Sequence, residues 1–588
     1  MQDWTWDLSF MYKGFDDPQL HADLEAIPGL IAAEQAILDD ASGNMLTRLE
    51  ALTDAMARLA SLTEKMTAYC GLVLSVDATN ADAAMYDDKL AVLSNQASLI
   101  ESAAARFIGS IPDLDALIAS SEKLAPVAFA LREMAAQSKH LIPESIEPWL
   151  LQMRLSGGNA FAQLRDKLDS THLVDYRGGS YPLSAVRGMA YDADAEVRRD
   201  AYEAEIASYR KMELPMSYCL NSIKMEARTV AQARGYDSVL AMTLDDNRMD
   251  QQTLDAMWSA IREYLPDFRR YLRAKAKYLG HEGGLPFYDL FAPVGKSTRT
   301  YTIDEARALL LREMGKFTPD MAAFMDHAFA NRWIDVFPRE GKTGGAFCWP
   351  IHGADRSLVL TNFHPGSFSD ISTLAHELGH AWHHRCMAGL HHMMAHTPMP
   401  LAETASIFNE TMLSHQVLSS CSPEEEITLL EAGLIEATQT VVDIYSRFLF
   451  ESEVVQTRAD HAMTVEELKD AMLRAQDASY GDGLARDIRH PYMWACKSHY
   501  YSSGMNFYNF PYAFGLLFGK GVFARWLEQG DAFVPAYCEL LRSCGSAPVA
   551  DVAASVGIDV RSIDFWRSSL NVIRRDIDRF CELVDAEG

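Results

Sequence analysis

The stretch His376-Glu377-Leu378-Gly379-His380 constrains the fold before anything else does, because its residues can act together only on an α-helix. Residues four apart stack on one helical face, so the two imidazoles can share one divalent metal ion. Glu377 lies about 100° around the helix from His376, within reach of a water at that metal without being a ligand. With the helix placed over 370–387, Leu374, Leu378, Ala381 and Trp382 form an apolar stripe. Thr373, His376, Glu377, His380 and His384 fall on the opposite side. Neutral imidazoles suit zinc, and a catalytic zinc site takes three protein ligands plus a water.

The third ligand must come from elsewhere in the chain. A histidine six residues past His380, with glycine three past it, would serve; those positions hold Cys386 and His383. Further on, Pro398-Met399-Pro400-Leu401 opens a second helix, proline being tolerated in a first turn. Glu403 and Glu410 follow seven residues apart, on nearly one face. One can ligate while the other orients a ligand histidine from behind, and spacing does not choose between them. His383, His384, His391, His392, His396 and His415 have no fixed geometry relative to the pair and are read as structural, with Gly379 as a packing residue.

Charge narrows the function classes. With 53 basic and 81 acidic residues the net charge is −28, which argues against non-specific nucleic-acid binding and against adhesion to anionic lipid. The nine cysteines are scattered and contain no Cys-x-x-Cys pair, so neither a disulfide framework nor a thiolate zinc site is expected; a cytoplasmic location fits. The opening residues lack the basic and apolar regions of a signal peptide. The uncharged run 498–519 contains Asn506, Asn509 and Pro511, poor tenants of hydrocarbon, and reads as protein interior.

Helical periodicity dominates the rest, over 46–60, 84–108 and 254–279, the last starting near Asp250 and ending at Gly280. Thr302 with Glu305, Ser422 with Glu425, and Thr464 with Glu467 form capping boxes. Strand signals are few: 357–363, a glycine-bearing patch over 344–350 beside it, and a turn or short hairpin over 176–182. The expectation is a mostly α fold with a small sheet just upstream of the metal motif. A boundary near residue 190 divides an N-terminal helical domain, 1–190, from a catalytic domain, 191–588.

Several blocks carry a resemblance. Trp6-Asp7-Leu8-Ser9 with Tyr12, Asp194 to Arg198 with Ala201-Tyr202, and Ala233-Arg234-Gly235-Tyr236 come first. The core block 344–384 follows, then Leu401 to Ser406 with Glu410, and finally His499-Tyr500-Tyr501 through Phe507 to Gly515. Together they resemble the thimet oligopeptidase-like zinc metallopeptidases, in particular the oligoendopeptidase F branch. The resemblance implies that Glu403 is the third ligand of one zinc ion per chain and that Glu410 stands behind a ligand. It implies a two-lobed helical ellipsoid with a deep channel that admits short peptides and excludes folded proteins. His499, Tyr508 and Tyr512 would bind the substrate carbonyl and its tetrahedral intermediate, and Glu377 would be the general base. The strand over 358–363 would pair with the peptide backbone. The function expected is zinc-dependent hydrolysis of internal bonds in short peptides. The alternatives are a zinc carboxypeptidase, for which Lys497 is the candidate anchor of a substrate carboxylate, and a catalytically weak peptide-binding protein of the same fold.

Overall fold

The computed structural model describes residues 4–295, 299–354 and 356–587. Helix makes up 70% of the structure, and the fold is mostly α as expected. The helices begin where their caps stand. All three capping boxes close, each pairing two backbone N–H groups that a helix start leaves without partners. The helix Gln251–Tyr278 starts at Asp250, whose side chain accepts the Thr253 N–H at 2.7 Å, and stops before Gly280, which turns the chain away at φ 83°.

Three long helices, Pro18–Asp39, Met45–Val76 and Ala81–Gly109, pack on one another near the N-terminus. The second runs well past the alanine- and leucine-rich stretch that announced it, because Met66, Tyr69 and Leu72 continue its buried face. Its core extends to Ile351, Leu358 and Leu360 of the central sheet, so these helices wall the region that carries the metal motif. The largest core gathers Gln251–Tyr278, Phe510–Gln529 and Ile563–Glu587 around the helices Phe368–Cys386 and Thr404–Leu418. The uncharged run ends inside it, with Phe510, Phe514 and Phe518 fully buried. Among the described residues no helix is long and apolar enough to cross a membrane.

Strands are short. β1 (Leu173–Tyr176) and β2 (Gly179–Pro182) form a hairpin around Arg177 and Gly178, both at positive φ, as a two-residue turn of this hand requires. β3 (Ile334–Asp335), β4 (Phe347–Ile351) and β5 (Arg356–Leu360) make a sheet in the order β3-β5-β4. This order corrects one expectation. β5, the strand expected to receive a peptide, has both edges taken, by β3 in parallel and by β4 antiparallel. Among the described residues the edge strands are β3, flanked by the backbone bonds Val336 N–H to Trp4 and Asp7 N–H to Arg332, and β4, where Pro350, which has no N–H for a ladder, is tolerated.

Candidate metal centre

Ser367 and Asp370 start the helix Phe368–Cys386 with a fourth capping box: Asp370 accepts the Ser367 N–H at 2.7 Å while Ser367 Oγ accepts the Asp370 N–H at 3.3 Å. Leu374, Leu378 and Trp382 are buried in the main core, and Ala381 is buried with them, as their stripe requires. The other face opens on a hollow of 530 Å³, lined by His376, Glu377 and His380 together with Glu403 and with Phe347 and Cys348 of β4.

The second helix does not run unbroken from Pro398. It forms as Met399–Ala402 and Thr404–Leu418, with Glu403 at the joint in a non-helical conformation. That joint aims the Glu403 carboxylate at the histidines. Glu403 Oε2 stands 3.3 Å from His376 Nε2 and 3.3 Å from His380 Nε2, and the two Nε2 atoms are 3.1 Å apart. Ligand atoms roughly 2.0–2.1 Å from a tetrahedral zinc ion stand about 3.3–3.4 Å from one another. The three donors already form that triangle, so the residues present fit the metal. Glu410 lies behind: His376 Nδ1 donates to its Oε1 at 2.7 Å, leaving Nε2 free to offer its lone pair. Ser406 Oγ donates to Glu403 Oε2 at 2.8 Å and fixes that carboxylate.

The electrostatics of the trio call for a cation. Burial disfavours the charged imidazole of His376, yet hydrogen bonds to Glu403 and Glu410 outweigh it and raise the group to about 11. Burial disfavours the Glu403 carboxylate too, but its bonds to His376 and His380 hold it far below the usual carboxylate range. Glu377 is nearly buried, and desolvation raises it despite the two nearby imidazoles. A carboxylate raised this way is a better proton acceptor near neutral pH.

Two glycines let the elements approach closely enough. A Cβ at Gly379 would stand 2.7 Å from the Ala405 carbonyl oxygen and 2.7 Å from Ser406 Cα, so only glycine fits where the two helices cross. On Phe510–Gln529, a Cβ at Gly515 would come within 3.0 Å of Glu403 Cβ. One turn earlier on that helix sits Tyr512. Its ring, with those of His499 and Tyr508, forms a cluster with centroids 5.7 to 6.1 Å apart. Burial and the Tyr508 hydrogen bond raise the Tyr512 phenol, and the Glu403 carboxylate adds to the push, which keeps it a hydrogen-bond donor. Burial, then Arg447 and Lys497, lower His499, whose Nδ1 is buried without a partner among the described residues.

Comparison with known proteins decides the family. The profile of peptidase family M3 matches residues 188–572. The chain belongs to peptidase family M3. This M3 peptidase is 23% identical to the oligopeptidase PepF of Bacillus subtilis over 600 residues, 99% of this chain and 87% of that protein. It is 22% identical to an oligoendopeptidase F homologue of Lactococcus lactis, over 99% of this chain and 97% of the relative. A solved structure from Chlamydophila abortus superposes with a TM-score of 0.85 at 22% identity, covering 99% and 98% of the two chains. The oligoendopeptidase-F of Enterococcus faecium gives 0.70 at 18%, covering 97% and 98%. The chain is a metallopeptidase of the oligoendopeptidase F kind.

Other residues of the M3 peptidase fall into place around this centre. Tyr500 and Tyr501 point away into a buried core with Tyr209 and Trp494. The loop that carries Tyr508 is pinned from below: fully buried Lys224 bonds Glu451 at 2.6 Å and Asn506 at 2.9 Å, and Glu451 accepts the Phe507 N–H at 3.0 Å. Phe507 itself holds a left-handed φ of 51°. Of the six histidines read as structural, His383 is buried and lowered to about 4 by burial and by His380, and His384 contacts Ser357 Oγ at 3.0 Å. His352, inside the core block but given no role in it, also lines the hollow of the metal trio. A second set of donors, Glu205, His490 and Cys496, is buried elsewhere. There Arg187 already stands 3.1 Å from Glu205 and supplies the positive charge.

Proposed function

We propose that this chain is a zinc-dependent oligoendopeptidase that hydrolyses internal bonds of short peptides, with one zinc ion held by His376, His380 and Glu403. The observation that carries the reading is the donor triangle with the Glu377 carboxylate beside it in one hollow. Zinc, when bound, supplies Lewis acidity to the attacking water and to the scissile carbonyl. Glu377 takes the proton of that water and returns it to the leaving amine. Tyr512, with His499 and Tyr508, donates hydrogen bonds to the oxygen that gains charge. Glu410 holds the tautomer of His376. The peptide adds to the free edge of β4, whose Phe347 and Cys348 face the hollow, and backbone pairing gives affinity with loose sequence preference. The helices up to about residue 190 form one wall of the channel in this reading. The nine free thiols support action in the reducing cytoplasm.

The carboxypeptidase reading loses its anchor. Lys497 lies 3.9 Å from Asp443 and lines a different hollow, beside Arg198 and Phe287. The deciding experiment is digestion of peptides blocked at both ends, read by mass spectrometry, with Glu377→Gln as control. Internal cleavage is expected, abolished in the variant while zinc stays bound. A requirement for a free C-terminus would sink the endopeptidase assignment, and full turnover by the variant would remove Glu377 from the mechanism.

A further inference from the structure

A second hollow, of 770 Å³, adjoins that of the metal trio and shares His352, Ala395 and His396 with it. β4 divides the two: Cys348 and Pro350 face the first, and Trp349 faces the second. A peptide laid along the free edge of β4 would therefore offer alternate side chains to the two spaces. Its walls carry five carboxylates, those of Glu34, Glu64, Glu101, Glu133 and Asp246, against a single arginine. That arginine, Arg248, is committed to Glu133, with Nη2 2.7 Å from Oε2. Glu64 accepts from His392 at 2.7 Å.

Glu34 and Glu101 are different. They come from the helices Pro18–Asp39 and Ala81–Gly109, and among the described residues neither pairs with a lysine or arginine. Glu34 is 1% exposed, and among the described residues its Oε1 is buried without a hydrogen-bond partner, as is Thr63 Oγ1 on the helix between. Burial, reinforced by the neighbouring Glu101 carboxylate, pushes Glu34 up to about 7. An uncompensated buried carboxylate is costly, and a cation brought beside it removes that cost. Met56, Leu59 and Ala97 line the same space and suit the methylene stem of a long basic side chain.

We propose that this second hollow is a subsite for a lysine or arginine side chain of the bound peptide, whose cationic head is received by Glu34 and Glu101. The assignment rests on the peptidase reading and extends it to substrate class: peptides with a basic residue at a set distance from the bond that is cut. The aliphatic wall selects against a small cation, and the two carboxylates select against an acidic side chain.

The test is a series of doubly blocked peptides in which lysine or norleucine is walked through the positions on both sides of the scissile bond. For the zinc-loaded wild-type protein, kcat/KM at one position is expected to favour lysine by about tenfold or more. In the double variant Glu34→Gln, Glu101→Gln that ratio is expected to fall to within about twofold of one. Because the ratio is taken within one preparation, a variant that folds poorly lowers both rates together and leaves the ratio readable. No lysine preference at any position, or a preference that survives in the double variant, overturns the subsite. Should the holoenzyme cut none of the peptides, the endopeptidase reading fails by itself. Fluorescence anisotropy of the same dye-labelled peptides, titrated into the intact holoenzyme, then reads the lysine preference without cleavage.

Discussion

Replacing Gly379 with alanine would set a methyl carbon 2.7 Å from the Ala405 carbonyl oxygen and 2.7 Å from Ser406 Cα, both backbone atoms of the facing helix. No rotamer change can relieve such a contact. Ordinary van der Waals contact begins at 3.4 Å, so the helices must part locally by about 0.7 Å. Overpacking of this kind costs about 1–3 kcal/mol, and the better helix propensity of alanine offsets roughly 1 kcal/mol of it. The fold therefore survives with a net loss of at most about 2 kcal/mol. The metal centre is less tolerant. Metal–ligand distances hold to within about 0.2 Å, and Glu403 sits just two residues before Ala405, so the displacement falls on the triangle itself. The expected outcome is a fall in zinc affinity of about 10- to 100-fold with a small change in the melting temperature of the metal-free protein. Competition with a chromophoric chelator measures the first and thermal unfolding the second. A variant with wild-type zinc affinity would refute the argument. Gly515→Ala is the milder comparison, since its Cβ meets the Glu403 side chain at 3.0 and 3.3 Å, where atoms can give a few tenths of an ångström.

Three further outcomes are expected. Glu403→Ala should lose zinc outright, whereas Glu410→Ala should weaken it by about 10- to 100-fold; zinc analysis after dialysis that returns the opposite order exchanges their roles. In the metal-free protein His376 keeps its proton up to about 11, and Nε2 must shed that proton to ligate. Apparent zinc affinity should therefore rise by about tenfold per pH unit between pH 6 and 9 and weaken as pH falls; a flat profile in buffered competition titrations would contradict the bonds of His376 to Glu403 and Glu410. Tyr512→Phe should lower kcat by about 100-fold with little effect on KM, as loss of one oxyanion donor does; an unchanged kcat would return Tyr512 to a packing role.

The legible parts of the sequence were those set by local spacing. The apolar stripe Leu374, Leu378, Ala381, Trp382 located the metal helix, and the capping pairs located three helix starts, because each depends on residues within a turn or two. The choice between Glu403 and Glu410 was not local. Both fit one face of an unbroken helix, and the break at Glu403, which sets the two carboxylates apart, lies where the chain passes close to Gly379 and Gly515. Sheet order was hidden for a similar reason: Ile334 and Asp335 carry no strand pattern, so nothing marked the partner that occupies the second edge of β5. Glu34 and Glu101 are ordinary residues on their own helices, and His352 lies in the turn after β4. Only the convergence of distant segments makes them neighbours of the centre.

The dependence of the Tyr508 loop on Lys224, and of Glu403 on Gly515, has a consequence for the order of synthesis. Lys224 and then the three donors have left the ribosome by about two thirds of the chain, while His499, Tyr508 and the buttressing glycine follow roughly a hundred residues after Glu403, about 5–20 s at ordinary elongation rates. A growing chain thus presents its metal donors well before the groups that would stabilise charge on a cleaved bond. In the proposed reading, hydrolytic competence therefore arrives only with the last fifth of the polypeptide.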